Sequence, residues 1–321
     1  MTDSYITYMK VVRRYSPRTC SIYEEVLAGF CAFSGCDGSP ESLSECLTVS
    51  GVRSYEVHLM DDLSESPRTV GLHLSVLSGF CRFLMKEKVL TSNPVRLISR
   101  PKVPKRLPAY YRDESMASYF DSTACDAGEE SLDLMRSLPS DDPMVKDLYE
   151  RRLRRLIVSV LSGTGIRRAE LIGLDVMSVD FSRHILKVRG KGDKMRDVPM
   201  VEGLLDEISL YLDACLHLLG DNPPAGPLLR TAAGARLYPV YVDRAVKAAL
   251  SGVEGITGRK SPHVLRHTIA TELLGEGADI NAIKELLGHA NLAATQVYTH
   301  NSIEKMRKVY SAAHPRAKSE E

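Results

Sequence analysis

The stretch RRLRRLIVSVLSGTGIRRAELIGL (Arg151–Leu174) decides the fold of the second half of the chain. Its apolar residues recur three and four positions apart, which predicts a helix with one face toward a core; they are Leu153, Leu156, Ile157, Val160 and Leu161. The glycines at 163 and 165 predict the end of this helix, and RRAELIGL predicts a short second one.

The segment that follows changes from a helical to an alternating pattern. SVDFSRHILKVRGKGDKMRDVPM (Ser178–Met200) alternates and turns twice, at SRH and at GKGDK, which predicts a three-stranded antiparallel meander. Beyond it we predict helices over 201–218, 240–250, 263–274 and 280–287, and around Tyr298. The second half is therefore expected to be a mostly helical domain with one small sheet.

An internal repeat organises the first hundred residues. SPRTCSIYEEVLAGFCAF (Ser16–Phe33) and SPRTVGLHLSVLSGFCRF (Ser66–Phe83) share ten of eighteen residues. Each begins with Ser as N-cap and Pro at the first helical position, so two similar amphipathic helices are predicted. With helical segments near 4–14 and 43–59, they predict a compact all-α unit of about four helices; chance similarity of two capped helices is the alternative reading of the repeat.

Between these halves lies SRPKVPKRLPAYY (Ser99–Tyr111), which has three prolines, four basic residues and no apolar periodicity. Such a composition is typical of a semi-extended linker. A cationic strap would suit a phosphate backbone, and a merely solvated linker is the alternative. The sequence thus predicts a mainly α (α+β) protein with an all-α domain over 1–98, a linker over 99–111 and a second domain over 112–321.

The charge is balanced overall but uneven along the chain. The 321 residues carry a formal net charge of +1, which neither requires nor excludes a polyanionic partner. Residues 121–150 hold nine acidic and two basic side chains, whereas RRLRR (Arg151–Arg155) and Arg183–Arg196 are strongly basic. We therefore expect a basic face for the partner and an acidic face turned away from it.

The cysteines and the apolar segments point to a cellular compartment. Seven cysteines without CxxC spacing predict buried free thiols in a reducing environment. The chain shows no secretory leader and no segment approaching the length of a membrane span. A soluble, cytoplasmic protein without membrane contact is the expectation.

The motif SPHVLRH places cationic side chains at the start of a helix. Ser261 as N-cap and Pro262 at the first position would put His263, Arg266 and His267 on the first turns, where the helix favours an anion. A core or capping histidine pair is one alternative. A zinc site completed by Glu272 or His289 is another, although Arg266 would place a fixed charge beside the metal.

Two further motifs add a fixed and a flexible cation. Arg167 follows the glycines of SGTGIRRAEL, but the P-loop pattern is absent; Glu170 can hold a neighbouring side chain by a charge-assisted bond. Lys191 sits at the tip of the predicted GKGDK hairpin, from which an ammonium can reach into a cleft. Each motif alone is also compatible with a purely structural or solvated role.

Tyr298, in GHANLAATQVYTH, is the candidate nucleophile. A phenol of pKa about 10 needs neighbours that stabilise the phenolate or accept its proton. Nothing in the sequence resembles a Ser-His-Asp set or a cysteine nucleophile with a fixed base. A tyrosine with two arginines, a lysine and several histidines suits attack on a phosphodiester, since guanidiniums can neutralise the non-bridging oxygens.

Together these residues resemble the tyrosine recombinase (phage integrase) family, and within it the Xer-type recombinases. TGIRRAELIGL is similar to the first arginine motif, GKGDK to the hairpin lysine, HVLRH to the HxLRH box, LLGH to the second histidine motif and TQVYTH to the tyrosine motif. The resemblance implies an all-α core-binding domain, a linker and a catalytic domain. It also implies six catalytic residues, namely Arg167, Lys191, His263, Arg266, His289 and Tyr298, supported by Glu170 and His267.

The resemblance further implies a mechanism and partners. Tyr298 would form a 3′-phosphotyrosyl link while Lys191 protonates the departing 5′-oxygen, with no ATP, cofactor or metal. Four protomers on two DNA duplexes would be needed, as a homo-oligomer or with a related recombinase, and a DNA translocase is a further expected partner. Contacts with double-stranded DNA are predicted for five basic residues, Lys102, Lys105, Arg106, Arg189 and Lys194.

The biological role has alternatives at this stage. Xer-type relatives resolve chromosome dimers, whereas an integrase or resolvase of a mobile genetic element would use the same chemistry. A type IB topoisomerase-like enzyme and a non-catalytic DNA-binding regulator are the other readings. Ile303, Met306 and Tyr310, at helical spacing, could form an apolar face donated to a neighbouring protomer or packed within the same chain.

Overall fold

The computed structural model describes residues 1–102, 110–190 and 193–288, without the side chains of Lys284 and Glu285. The chain divides into two compact units, Met1–Arg106 and Leu107–Glu321. The described part is mainly helical with one three-stranded antiparallel sheet. This is the predicted fold class. None of the described helices is long and apolar enough to cross a membrane.

The first unit consists of helices around a core of its own. They are α1 (Thr2–Val11), α2 (Pro17–Ser34), α3 (Pro40–Cys46), α4 (Val49–Val57) and α5 (Pro67–Lys86), with a π-helix at His58–Asp62 and a 3₁₀ helix at Pro94–Leu97. The single helical segment expected over 43–59 is wrong. A break at Leu47 and Thr48 divides it, because the Thr48 side chain caps a new helix by accepting from the Gly51 N–H.

The two halves of the repeat form equivalent helices. Ser16 and Ser66 each accept a hydrogen bond of 3.2 Å from the backbone N–H three residues on, and a proline follows each cap. Three shared apolar positions are buried in both helices, namely Val26 with Val76, Leu27 with Leu77 and Phe30 with Phe80, whereas Phe33 is exposed and its equivalent Phe83 is buried. The repeated sequence therefore specifies the same cap and the same buried face twice.

In the second unit, α6 (Asp113–Ser122), α7 (Ala124–Ala127) and α8 (Glu129–Arg136) precede α9 (Pro143–Thr164). Helix α9 is buried over most of its length and packs against α11 (Glu202–Leu219), α12 (Pro239–Ala249) and α13 (Pro262–Gly275). It ends at Gly165, whose φ of +63° is the left-handed conformation that glycine adopts readily. This central helix organises the core, as its apolar pattern predicts.

The sheet lies between the short α10 (Arg168–Ile172) and α11. Strands β1 (Val179–Asp180), β2 (Ile185–Arg189) and β3 (Met195–Pro199) form the expected meander, with Val188 opposite Arg196 in the register. The described chain closes with α14 (Ile280–Leu287), whose bounds match the prediction. Lys191 and the residues after Gly288 lie outside the described part.

The basic face expected from RRLRR is wrong for two of its arginines. Arg152 is 1% exposed and donates to the carbonyls of Ala127 and Gly128, and Arg155 is 6% exposed and donates to the Phe120 carbonyl. A buried guanidinium needs acceptors, and here they come from the chain between residues 120 and 128, where the acidic stretch begins. These two arginines hold that stretch on α9 and are not available to a partner.

The cysteine prediction holds only in part. Four of the seven cysteines are buried and none is in a disulfide, but Cys31 and Cys46 are half-buried and Cys125 is exposed. Cys125 lies in the single turn of α7, a helix without buried residues. Its exposure follows from that short, peripheral position.

Candidate active site

A cationic cleft of about 660 Å³ opens in the second unit. Seven of its lining residues are arginine or lysine and one is histidine, against a single carboxylate, Asp243. These basic residues come from the start of α10, α12, the loop before α13 and α13 itself; they are Arg167, Arg168, Arg244, Lys247, Arg259, Lys260 and Arg266, with the imidazole of His263 beside them. Such a concentration of positive charge, far above that of the whole chain, favours a polyanion.

Arg167 occupies the N-cap position of α10. Its Nη1 donates to Glu170 Oε1 at 2.9 Å, and its backbone N–H donates to Glu170 Oε2 at 2.8 Å. Nη2 donates to the Gly288 carbonyl at 2.9 Å. The side chain remains 41% exposed and lines the cleft, so the guanidinium is fixed by these bonds and still accessible to a ligand.

Arg266 is held more deeply. It is 6% exposed, and its two Nη atoms donate to the carbonyls of Gly165 and Leu287. Burial, followed by the charge of Arg167, lowers the pKa of Arg266 to about 10. The guanidinium therefore stays protonated at neutral pH, and it lines the cleft together with Arg167.

Glu170 is the carboxylate that joins these groups. It is buried, and it accepts from Arg167 and, at 3.1 and 2.8 Å, from both Nη atoms of Arg196. Burial acts to raise its pKa, but the hydrogen bonds from Arg196 and Arg167 outweigh burial and hold the pKa below its usual value. The supporting contact expected between Glu170 and Arg167 is present in the structure.

His263 and His267 lie together on the first turns of α13. Their Nε2 atoms are 3.1 Å apart and their rings are edge to face, with His263 exposed at the cleft. Burial of part of the ring, then His267 and Arg266, lower the pKa of His263, so its imidazole is neutral at pH 7. Across the described ranges, no group of three His, Cys, Asp or Glu could hold a metal ion.

The start of α13 differs from the expectation in one respect. Ser261 does stand at the N-cap position, but its side chain makes no capping bond. The loop is held by Tyr111 instead, whose hydroxyl donates to the Arg259 carbonyl at 3.0 Å while its backbone N–H donates to Thr268 Oγ1 at 2.9 Å. Tyr111 thus fixes the segment that presents Arg259 and His263 to the cleft.

The structure therefore brings together four of the residues predicted from the sequence, Arg167, Glu170, His263 and Arg266, with His267 beside them. Lys191, His289 and Tyr298 lie outside the described residues, as do Lys105 and Arg106. Lys102, Arg189 and Lys194 are exposed, and Arg189 pairs with Asp193 at 3.2 Å. These three do not line the cleft.

Sequence reasoning missed two groups of residues. One is the set of cleft cations Arg168, Arg244, Lys247, Arg259 and Lys260; Arg168 lies within TGIRRAELIGL but was not singled out, and the other four lie in none of the quoted motifs. The other is Arg196, on the inward side of β3 beside Val198. Its position in an alternating strand could have shown it, because a charged residue in register with apolar ones needs a buried partner.

Comparison with known proteins identifies the family. The model of the phage integrase family matches residues 144–305, about half of the chain. The chain is 30% identical to "Tyrosine recombinase XerC" of Chlorobaculum parvum over 98% of its own length and 94% of the relative's. It is 37% identical to the protein of that name from a Mycobacterium species over 73% and 72% of the two lengths.

Solved structures show the same fold. The XerH site-specific recombinase bound to a palindromic difH substrate superimposes with a TM-score of 0.64 at 17% identity, over 99% of this chain and 83% of that one. A lambda integrase dimer bound to a COC′ core site superimposes with a TM-score of 0.60 at 17% identity, over 92% of this chain and 97% of that one. This chain belongs to the phage integrase family: it is a site-specific tyrosine recombinase of the Xer type, an enzyme that cleaves and rejoins DNA.

Proposed function

We propose that the cationic cleft binds the scissile phosphodiester of double-stranded DNA and that Tyr298 attacks it. The phenol gives its proton to a neighbouring imidazole as its oxygen bonds to phosphorus, the bond from phosphorus to the 5′-oxygen breaks, and Lys191 gives that oxygen a proton. Arg167 and Arg266 contact the non-bridging oxygens, with His263 and His289 donating or accepting hydrogen bonds around them. Glu170 and His267 support this set.

The observation that carries this proposal is the joint position of Arg167 and Arg266. They come from elements a hundred residues apart, yet both line one cleft and both donate to adjacent carbonyls at 287 and 288. Two fixed guanidiniums on one face can neutralise a phosphorane without a metal ion, because their donors are already oriented. The surrounding cations, such as Lys247 and Arg259, would hold neighbouring phosphates.

The two units would have different roles on DNA. We assign the all-α domain over 1–98 to binding of the core DNA site and residues 112–321 to catalysis. The basic linker over 99–111, which joins them, would contact the phosphate backbone of the DNA. Strand exchange requires an oligomer on paired sites, made of this chain or of this chain with a related recombinase. A DNA translocase would act on that assembly as an activator.

The relatives named XerC favour resolution of chromosome dimers over movement of a genetic element. Mapping the covalent adduct on genomic DNA tests this choice. A single chromosomal site is expected; adducts at the ends of an inserted element would replace the Xer role with that of an integrase.

The nucleophile is tested by Tyr298→Phe. This variant should bind a cleavable duplex with the affinity of the unmodified protein and give no SDS-stable protein–DNA adduct, since it lacks the attacking oxygen. Tyr310→Phe, in the same part of the chain, is the control and should form the adduct. An adduct that persists in Tyr298→Phe would move the nucleophile elsewhere, and loss of cleavage in EDTA would refute the metal-free mechanism.

A further inference from the structure

Three consecutive carbonyls at the C-terminal end of α14 each accept from a different arginine. Arg196 Nε donates to Leu286 at 3.0 Å, Arg266 Nη2 donates to Leu287, and Arg167 Nη2 donates to Gly288 at 2.9 Å. The last carbonyls of a helix have no partner within it and carry partial negative charge. Guanidiniums from β3, α13 and the start of α10 supply the missing donors here.

Arg196 differs from the other two because it does not line the cleft. It is 8% exposed, and all three of its guanidinium nitrogens face protein acceptors: the Leu286 carbonyl and the two oxygens of Glu170. Glu170 in turn holds Arg167 at 2.9 Å. One continuous set of bonds therefore runs from the end of α14 through Arg196 and Glu170 to Arg167.

The space around this guanidinium is shaped by two glycines. A Cβ at Gly288, where φ is +65°, would lie 3.1 Å from Arg196 Nη1, and a Cβ at Gly190 would lie 3.4 Å from the same atom. Gly190 precedes Lys191 in the sequence, and Gly288 precedes His289. Arg196 thus lies where the chain segments leading to both of those residues meet the Arg167–Glu170 pair.

From this geometry we infer that Arg196 is a positioning residue for the recombinase reaction, which fixes Arg167 through Glu170 and sets where the chain leaves α14. The inference rests on the proposed function, in which Arg167 binds the scissile phosphate. Arginine suits the position because its planar fork meets a carboxylate with two bonds and keeps a third donor; a lysine ammonium offers one point of contact.

The first experiment compares Arg196→Lys with Arg230→Lys. Arg230 is the matched control: it is 5% exposed in the same unit and bonds Asp221 Oδ1 at 2.8 Å and Asn222 Oδ1 at 2.7 Å, without lining the cleft. Single-turnover adduct formation on a cleavable duplex, DNA affinity and Tm are measured for both. We expect Arg196→Lys to cleave about tenfold to a hundredfold more slowly per folded molecule, with DNA affinity nearly unchanged. Arg230→Lys should cleave at the unmodified rate.

A second readout separates positioning from stability. In Arg196→Gln, Glu170 loses two hydrogen bonds that favour its ionised form, while Arg167 and Arg266 still face it. The acid limb of the cleavage rate should therefore move to higher pH. Adding Arg196→Gln to Glu170→Gln should reduce cleavage by less than Arg196→Gln does in the unmodified protein, because the contact between the two residues is already lost and only the bond to the Leu286 carbonyl remains to be removed.

The outcomes are distinct from those of the tyrosine experiment. If Tyr298→Phe abolishes the adduct but Arg196→Lys cleaves as fast per folded molecule as Arg230→Lys, the inference about Arg196 is wrong and the proposed function stands. An unshifted pH profile in Arg196→Gln, with fully additive losses in the double variant, would also overturn it. If Tyr298→Phe keeps the adduct, the proposed function fails and the role of Arg196 fails with it.

Discussion

At the scale of single residues, Arg167 and Arg266 donate hydrogen bonds to the backbone and still line the cleft. A guanidinium has five N–H donors in one plane. Arg266 gives donors on both Nη atoms to the carbonyls of Gly165 and Leu287 and still lines the cleft. Gly165 makes this approach possible, since a Cβ there would lie 2.6 Å from Leu287 Cδ2.

Glu272, on the same helix as Arg266, gives a prediction about pH. Burial, and then the Asp113 carboxylate, raise the pKa of Glu272 to about 8. Between its ordinary pKa and that value the folded state binds a proton that the unfolded chain has released, so this residue lowers the free energy of unfolding as pH rises. Glu272→Gln should remove this decrease in the free energy of unfolding, because the amide does not ionise.

We expect Glu272→Gln to be more stable than the unmodified protein by up to about 4 kcal/mol at pH 8, and by less than about 1 kcal/mol at pH 5. Urea denaturation at the two pH values measures this. Glu276→Gln, near the exposed end of the same helix, is the matched control for exchanging a carboxylate for an amide. Equal behaviour of the two variants would contradict the protonated state of the half-buried Glu272.

At the scale of elements, α13 is held by a residue that precedes the second unit's first helix. Tyr111 donates once through its hydroxyl and once through its backbone N–H, to the loop before α13 and to Thr268 within it. Because the helix carries His263 and Arg266, its anchoring affects the cleft. The interaction joins residues about 150 positions apart, so it could not be predicted from a local sequence pattern.

Tyr111→Phe tests this anchor. Loss of the hydroxyl leaves the Arg259 carbonyl without that donor, which should lower the free energy of unfolding by about 1 kcal/mol. The neighbouring Tyr110 is 57% exposed, and Tyr110→Phe should leave stability unchanged. Denaturation midpoints measure both, and equal midpoints would show that the Tyr111 hydroxyl contributes nothing.

At the scale of the whole molecule, positive charge is concentrated in the cleft although the net charge of the chain is close to zero. The chain carries +1, yet the cleft gathers seven Arg and Lys side chains around one carboxylate. The buried arginines Arg152 and Arg155 bind the chain between residues 120 and 128 and so add nothing to this surface. DNA affinity should therefore depend on a few clustered cations and fall steeply with salt.

Lys247→Gln and Lys260→Gln test that concentration. Each should weaken binding to DNA of any sequence and reduce the slope of log affinity against log salt by about 1, the value for one phosphate contact. Lys146→Gln, an exposed lysine in the acidic stretch, should keep the slope of the unmodified protein. Fluorescence anisotropy over a salt series measures the slopes, and three equal slopes would exclude Lys247 and Lys260 from the DNA interface.

The sequence by itself determined the elements and the main chemical groups. Apolar periodicity, the Ser-Pro caps and alternation before Met200 are local signals, so α2, α5, α9 and the three strands could be predicted. The order and spacing of Arg167, Glu170, His263 and Arg266 are also properties of the linear chain, so the family could be predicted from them in the same way.

Only the tertiary structure decided which charges face the cleft and which are buried. Arg152, Arg155 and Arg196 lie in basic stretches, which usually indicate exposed side chains. Each is nevertheless buried and donates to acceptors from distant elements. Arg244, Lys247 and Arg259 reach the cleft from segments without a motif. The physical reason is that burial of a charge depends on partners brought together by folding, and a linear pattern records residue types but not those partners.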